Sequence, residues 1–225
     1  MKQGGKLKKK TPEKEDSSQK IKVVIFDCDG VLFDSKDANI RFYNSILERF
    51  GKPPLKDSQI EYVHMHSLAD SIRYLFPEKN LEEVLDYCRK LDFKDFNKYL
   101  KVQEGLVDFL EYLRPKYKTA IATNRTVSMA MVLEEFKLQD YFDLVVTAAD
   151  VKRPKPYPET IEKILDTFKI EPGEAVFIGD SEVDKQLADN TGVIFISYKN
   201  PDLTTRYHVT SFEEVKDLLE HKLNK

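Results

Sequence analysis

Asp27 and Asp29 close the segment Ile21-Lys22-Val23-Val24-Ile25-Phe26-Asp27-Cys28-Asp29-Gly30, where an apolar, β-branched run stops at two carboxylates and a glycine. So uninterrupted a run reads as a strand buried on both faces, and open parallel sheets bind their ligands just beyond the carboxyl ends of such strands. Two acids at that point, with no base between them, repel each other unless a cation or a shared proton intervenes. The pattern therefore asks for a metal ion. Farther on, Ala120-Ile121-Ala122-Thr123-Asn124 is a short apolar run ending in a hydroxyl and an amide, and Lys155 is a cation in the proline-stiffened loop Arg153-Pro154-Lys155-Pro156-Tyr157-Pro158. Another apolar run, Ala175-Val176-Phe177-Ile178, leads through Gly179 into Asp180-Ser181-Glu182-Val183-Asp184.

In this order the motifs resemble those of the haloacid dehalogenase-like hydrolase superfamily, in particular its branch of phosphoglycolate phosphatase and β-phosphoglucomutase-like enzymes. The likeness runs from Ile21 to about Leu219. It implies an α/β fold, a Rossmann-like parallel-sheet core with an inserted all-helical cap domain. It also implies a Mg²⁺-dependent phosphatase that hydrolyses a small phosphorylated metabolite, of the phosphoglycolate or sugar phosphate class, through an aspartyl-phosphate intermediate.

Chemistry assigns roles to the same residues. Phosphoryl transfer needs a nucleophile in line with the leaving oxygen and positive charge around the equatorial oxygens. Asp27 is the expected nucleophile. Asp29 is the expected general acid for the leaving alcohol and later the base for water, a role worth about 10²–10⁴-fold. Thr123 would hydrogen-bond a phosphoryl oxygen, with Asn124 beside it toward the substrate, and Lys155 would hold the same charge. Asp27 and Asp180 would bind Mg²⁺, a hard ion that favours oxygen ligands. Asp29 is counted with them, and Asp184, as the resemblance implies, is a further ligand or an anchor, a task Ser181 or Glu182 could share. Cys28 is read as a packing residue.

These motifs recognise only a phosphoryl group and a metal, so substrate choice falls to the cap. Its richest polar and aromatic segment is Tyr62-Val63-His64-Met65-His66-Ser67, followed by Arg73. His64, His66 and Arg73 are the expected substrate contacts. The histidines are two residues apart, which is not the spacing of one helical face, so a shared metal site is not expected. The family often carries a glycine near His64, and its replacement here bears on specificity.

The elements that must hold these groups follow from periodicity. Residues 21–35 and 101–225 should form the catalytic core, residues 36–100 the cap, and residues 1–20, rich in lysine and nearly devoid of apolar side chains, a disordered tail. In the cap, helices are predicted over Asp37–Phe50, Asp57–Val63, Ser67–Leu75 and Leu81–Leu100. In the core, a helix over Glu104–Leu113 precedes alternating strands and helices: Lys118–Ala122, Val127–Phe136, Leu144–Thr147, Glu159–Phe168, Ala175–Ile178, Glu182–Asp189 and Val193–Ile196. That alternation implies right-handed crossovers and a parallel sheet. A last helix starts at Ser211, which with Glu214 spells a Ser-x-x-Glu capping box.

The chain has 225 residues, above the roughly 100–200 of one typical domain, and a formal charge of −3, which argues against a strongly basic nucleic-acid binder. No apolar stretch is long enough to span a membrane, and the first twenty residues lack a signal-peptide core. Cys28 and Cys88 are its only cysteines, and far apart, so a reducing cytoplasm is expected. The oligomeric state is not set by the sequence. Other readings are a phosphomutase, which shields the same Asp27 intermediate from water, and a non-catalytic metabolite-binding protein that keeps the fold. Hydrolytic dehalogenation is disfavoured because Asp29 and Asp180 make sense mainly with a metal and a phosphoryl group. No apolar-flanked lysine announces the Schiff base of phosphonate-cleaving relatives, for which Lys56 and Lys79 would be candidates.

Overall fold

The computed structural model describes residues 20–126 and 128–224. The expected tail lies outside that range except for Lys20, and so does Val127 at the start of a predicted helix. In chain order the strands are β1 (Val23–Phe26), β2 (Phe33–Asp34), β3 (Lys101–Val102), β4 (Lys118–Ala122), β5 (Leu144–Val146), β6 (Ala175–Gly179), β7 (Ile194–Tyr198) and β8 (Tyr207–Val209). The helices are α1 (Lys36–Arg49), α2 (Asp57–Met65), α3 (Leu68–Leu75), α4 (Leu81–Cys88), α5 (Lys94–Asn97), α6 (Leu106–Leu113), α7 (Ser128–Glu135), α8 (Glu159–Phe168), α9 (Glu182–Thr191) and α10 (Phe212–His221).

Six strands form one parallel sheet in the order β5-β4-β1-β6-β7-β8. Successive side chains of a strand point to opposite faces, and β1 obeys this fully. Val24 and Phe26 enter one apolar cluster, with Phe109 of α6 and Phe212 of α10, while Val23 and Ile25 enter another, with Ile161 of α8 and Leu187 of α9. The registers pair Phe26 with Ile121 on one side and with Ile178 on the other. The residues that follow β1, β4 and β6 therefore emerge side by side at one edge of the sheet.

The chain leaves this core through β2 and returns through β3, which pair antiparallel at Phe33–Val102 and Asp34–Lys101. Helices α1 to α5 lie between them and have their own apolar cluster, including Phe42, Tyr43, Ile46, Ile72, Phe76 and Val84. This is the all-helical insertion of an α/β core. The expected single helix over Leu81–Leu100 is instead α4 and α5, because Asp92 accepts the backbone N–H of Lys94 at 3.0 Å and offers the chain a local turn. At α10 the hydroxyl of Ser211 accepts the Glu214 N–H, but the Glu214 carboxylate takes the N–H of Thr210 rather than that of Ser211. β8, an edge strand of three residues, was not expected from the sequence.

Candidate active site

The site stands on three adjacent strand ends. Asp27 directly follows β1, and its N–H prolongs the ladder by donating to the Ile178 carbonyl at 2.9 Å. Thr123 follows β4 and is fixed in the same way to the Val146 carbonyl at 3.1 Å. Asp180 follows β6, its own carbonyl held by the side-chain amide of Asn200 at 2.7 Å. Asp184 lies in the first turn of α9. It exchanges hydrogen bonds with Ser181, whose hydroxyl accepts the Asp184 N–H at 3.2 Å and donates to its Oδ2 at 2.6 Å. This reciprocal cap satisfies donors that the start of a helix otherwise leaves unpaired, and it occupies the Ser181 hydroxyl.

Lys155 joins these acids. Its Nζ lies 2.7 Å from Asp27 Oδ1 and 2.6 Å from Asp184 Oδ1, and the side chain is only 2% exposed. Burial alone would favour the neutral amine, but the charges of Asp184 and Asp27 outweigh it and hold the lysine above its ordinary value. Asn124 clamps the lysine's backbone. The Asn124 Oδ1 accepts the Lys155 N–H at 2.9 Å, and its Nδ2 donates to the carbonyls of Lys155 at 3.3 Å and Met65 at 3.0 Å. Asn124 lines the cavity, yet its polar atoms are taken by this clamp, so substrate contact is not its evident task.

One cation does not balance this acid group. Asp27, Asp180 and Asp184 each place an oxygen within 4.8 Å of the others. The Asp27 carboxyl is pushed up to about 7, by burial first and then by the charge of Asp184, and the same causes raise Asp180. Three crowded carboxylate oxygens, partly neutralised by Lys155, fit a hard divalent cation. Two glycines make the crowding possible. A Cβ on Gly30, which sits at φ +81°, would lie 1.9 Å from Asp180 Oδ2, and one on Gly179 would lie 2.7 Å from Asp184 Cγ.

Asp29 departs from the ligand set expected of it. Its carboxylate turns to Arg125, which donates from Nε and Nη2 at 2.8 Å each, so the side chain is not in the acid group. Burial would push the Asp29 carboxyl up, but the Arg125 charge and its hydrogen bonds prevail and hold it below the ordinary carboxylate range. Sequence reasoning missed Arg125. The available signal was the need of a buried Asp29 for a counter-charge, which the cation directly after Thr123-Asn124 meets. Asn39 of α1 was missed as well; its Nδ2 lies 3.0 Å from His64 Nδ1 and 3.5 Å from Asp29 Oδ1.

The insertion covers these groups. His64 and His66 line the same cavity as Asp27, Asp29, Thr123 and Arg125. With the Asn39 amide donating, His64 Nδ1 accepts and the ring proton sits on Nε2, 4.0 Å from Asp180 Oδ2. Burial holds the His64 imidazole below its ordinary value. The His66 ring stacks on Tyr62 at 3.9 Å between centroids, and its Nδ1 donates to the Tyr62 carbonyl. Arg73 is elsewhere. It is absent from the cavity lining and pairs with Asp70, one helical turn earlier, at 2.7 Å with 61% of its side chain exposed. Its expected substrate contact is thus replaced by a solvated (i, i+3) ion pair. Cys28 is fully buried, and burial pushes its thiol well up, away from redox or nucleophilic use.

A parallel α/β core that presents acids, a buried lysine and a hydroxyl at adjoining strand ends, under a helical insertion, defines a class of hydrolytic enzymes. The sequence model of the haloacid dehalogenase-like hydrolases matches residues 24–198. The chain belongs to that family. It is 32% identical over 177 residues to the pyrophosphatase PpaX of Halalkalibacterium halodurans, covering 77% of this chain and 81% of that protein. Among solved structures it resembles a subfamily IA hydrolase of the family from Geobacter sulfurreducens, at 39% identity and a TM-score of 0.77, covering 88% of this chain and 99% of that one. The CbbY protein of Rhodobacter sphaeroides, solved with phosphate, shares the fold at 17% identity and a TM-score of 0.76, over 87% and 96% of the two chains. Among the described residues no helix is long and apolar enough to cross a membrane.

Proposed function

We propose that the protein is a Mg²⁺-dependent phosphatase of small phosphorylated metabolites that works through an aspartyl-phosphate on Asp27. The observation that carries this reading is the Asp27 carboxylate at the head of the central strand. One of its oxygens is bound to Lys155, and its neighbours Asp180 and Asp184 complete a site for a hard cation. Asp27 Oδ2 is left to attack phosphorus, while the Thr123 hydroxyl and Lys155 meet the charge that spreads over the equatorial oxygens. Asp27 and Asp180 would hold Mg²⁺, with Asp184 as anchor, and the ion supplies charge neutralisation to the phosphoryl oxygens. Asp29 is assigned the proton transfers at the leaving oxygen and at the attacking water. Paired with Arg125 it is ionised and set up for the second, and it can serve the first only after taking up a proton as the substrate binds.

The test is phosphate release over a panel of pyrophosphate, phosphoglycolate and sugar phosphates, with Mg²⁺ and with EDTA. At least one compound should release phosphate, and chelation should abolish the release. Activity that survives EDTA would remove the metal from the reading, and release from none of the panel would remove the phosphatase assignment itself.

Gly30 offers an independent check on the cation site. A methyl group there meets the Asp180 carboxylate, so Gly30→Ala should raise the Mg²⁺ concentration for half-maximal activity by roughly 10–100-fold, the range found when a ligand's support is disturbed. An unchanged Mg²⁺ requirement would take Asp180 out of the ligand set.

A further inference from the structure

We infer that Arg125 is a specificity-determining group that binds a second anion, a carboxylate or a phosphate, carried on the leaving side of the substrate. The inference rests on the phosphatase reading and deepens it.

The position comes first. Arg125 is anchored through its backbone, donating its N–H to Thr123 Oγ1 at 3.1 Å and accepting the Ala148 N–H at 3.0 Å. Its side chain is 12% exposed and lines the cavity that also holds Asp27, Asp29, His64 and His66. The group thus stands in contact with Asp29, the residue assigned to the leaving oxygen, and is not itself in contact with the acid cluster among the described residues.

Hydrogen-bonding capacity comes second. A guanidinium offers five N–H donors in a rigid fork. Asp29 takes one from Nε and one from Nη2, and Nη1 has no partner among the described residues. Lys155, the other cation of the lining, spends two of its three N–H donors on Asp27 and Asp184, and the third is assigned to the transferred phosphoryl group rather than to the leaving side. Arg125 therefore keeps N–H donors in this cavity beyond the two that its ion pair with Asp29 uses. The helical wall contributes Phe42, Val63, Phe93 and Phe96. Beside such side chains an anion is costly to bury without a charged partner, and a bidentate guanidinium is the partner that fits the planar or tetrahedral oxygens of carboxylates and phosphates.

A plainer role exists for the same residue, which is to neutralise Asp29 alone. In that role its loss would act through Asp29 and would harm ethyl phosphate, whose alkoxide most needs a proton on leaving, at least as much as the charged substrates. As a recognition group its loss harms chiefly those substrates whose leaving side is charged, because specificity is a difference in transition-state binding.

The experiment compares kcat/KM for pyrophosphate, phosphoglycolate and ethyl phosphate in the wild type, Arg125→Lys and Arg125→Met. The leaving side bears a phosphate in the first substrate, a carboxylate in the second and no charge in the third. The wild type should favour at least one charged compound over ethyl phosphate, and the favoured one identifies the anion. Arg125→Met should lower kcat/KM for it by about 10²-fold or more while ethyl phosphate falls several times less, with Arg125→Lys between. Equal losses across all three substrates, or a larger loss for ethyl phosphate, would overturn the inference and leave Arg125 the neutralising role. If Arg125→Met does not fold, judged by its circular dichroism and melting curve, the wild-type ranking decides: ethyl phosphate cleaved as well as both charged compounds overturns the inference while the phosphatase reading stands. Release from none of these compounds and none of the wider panel defeats that reading and the inference with it.

Discussion

Asp27→Asn should abolish turnover, with a loss of about 10⁴-fold or more, while making the metal-free protein harder to unfold at pH 8. The first half follows from the chemistry, since an amide of the same shape cannot attack phosphorus, and removal of a nucleophile typically costs that much or more. The second half follows from the surroundings. The folded Asp27 carboxyl is raised to about 7 by burial and the Asp184 charge, far above a carboxyl in the unfolded chain. The folded state therefore binds this proton more tightly, and the wild type loses stability as pH rises from about 4 through 7, on the order of a few kcal/mol at most. Asparagine resembles the protonated form and carries no such loss. Melting curves in EDTA at pH 5 and pH 8 would show the wild type falling across that interval by more than the variant. Parallel curves would mean that the acids do not crowd one another as described, and residual turnover would remove Asp27 from the nucleophile role.

Lys155→Met should cost both activity and fold. The ammonium is buried and bridges Asp27 and Asp184; its removal leaves their carboxylates facing Asp180 with no cation in contact. Breaking a buried pair by deleting one partner typically costs about 3–5 kcal/mol, because the remaining charge is stranded. Loss of a donor to the transferring phosphoryl group removes about 10²–10³-fold in rate on its own. Added Mg²⁺ should raise the melting temperature of Lys155→Met by more than that of the wild type, since the ion then supplies the missing charge. A variant as stable as the wild type in EDTA would contradict the ion-pair geometry.

Much of this architecture was legible in the sequence because it is written in short apolar runs. β1, β4 and β6 are each buried throughout or nearly so, and a strand covered on both faces leaves an unbroken apolar signature that ends where its functional residue begins. That rule pointed to Asp27, Thr123 and Asp180, and the rigidity of its loop to Lys155; Asp27 is in contact with Lys155, crowds Asp180 and shares a cavity with Thr123. Arg125 left no such mark, for a cation after a strand is ordinary until the charge at Asp29 is counted. Arg73 misled for the converse reason, since composition cannot say whether a helical arginine faces a cavity or water, although Asp70 three residues earlier was a hint. The break between α4 and α5 turned on a single aspartate side chain competing for a backbone N–H, and helical periodicity does not register such a contact.

The registers of β1 have a consequence for how the gene can change. With Val24 and Phe26 committed to one cluster and Val23 and Ile25 to the other, a slip of one residue would turn every side chain of the strand to the wrong face, and would swing Asp27 away from Thr123 and Asp180 in the same stroke. The segment from Ile21 to Gly30 can therefore absorb neither an insertion nor a deletion, and its aliphatic residues should be as intolerant of length change as Asp27 beside them. The helical insertion joins the core through a ribbon of two residues per strand and packs around its own apolar cluster. Variation in loop length can accumulate there without moving the strand ends, which leaves the cover free to diverge over a phosphoryl-transfer site that stays fixed.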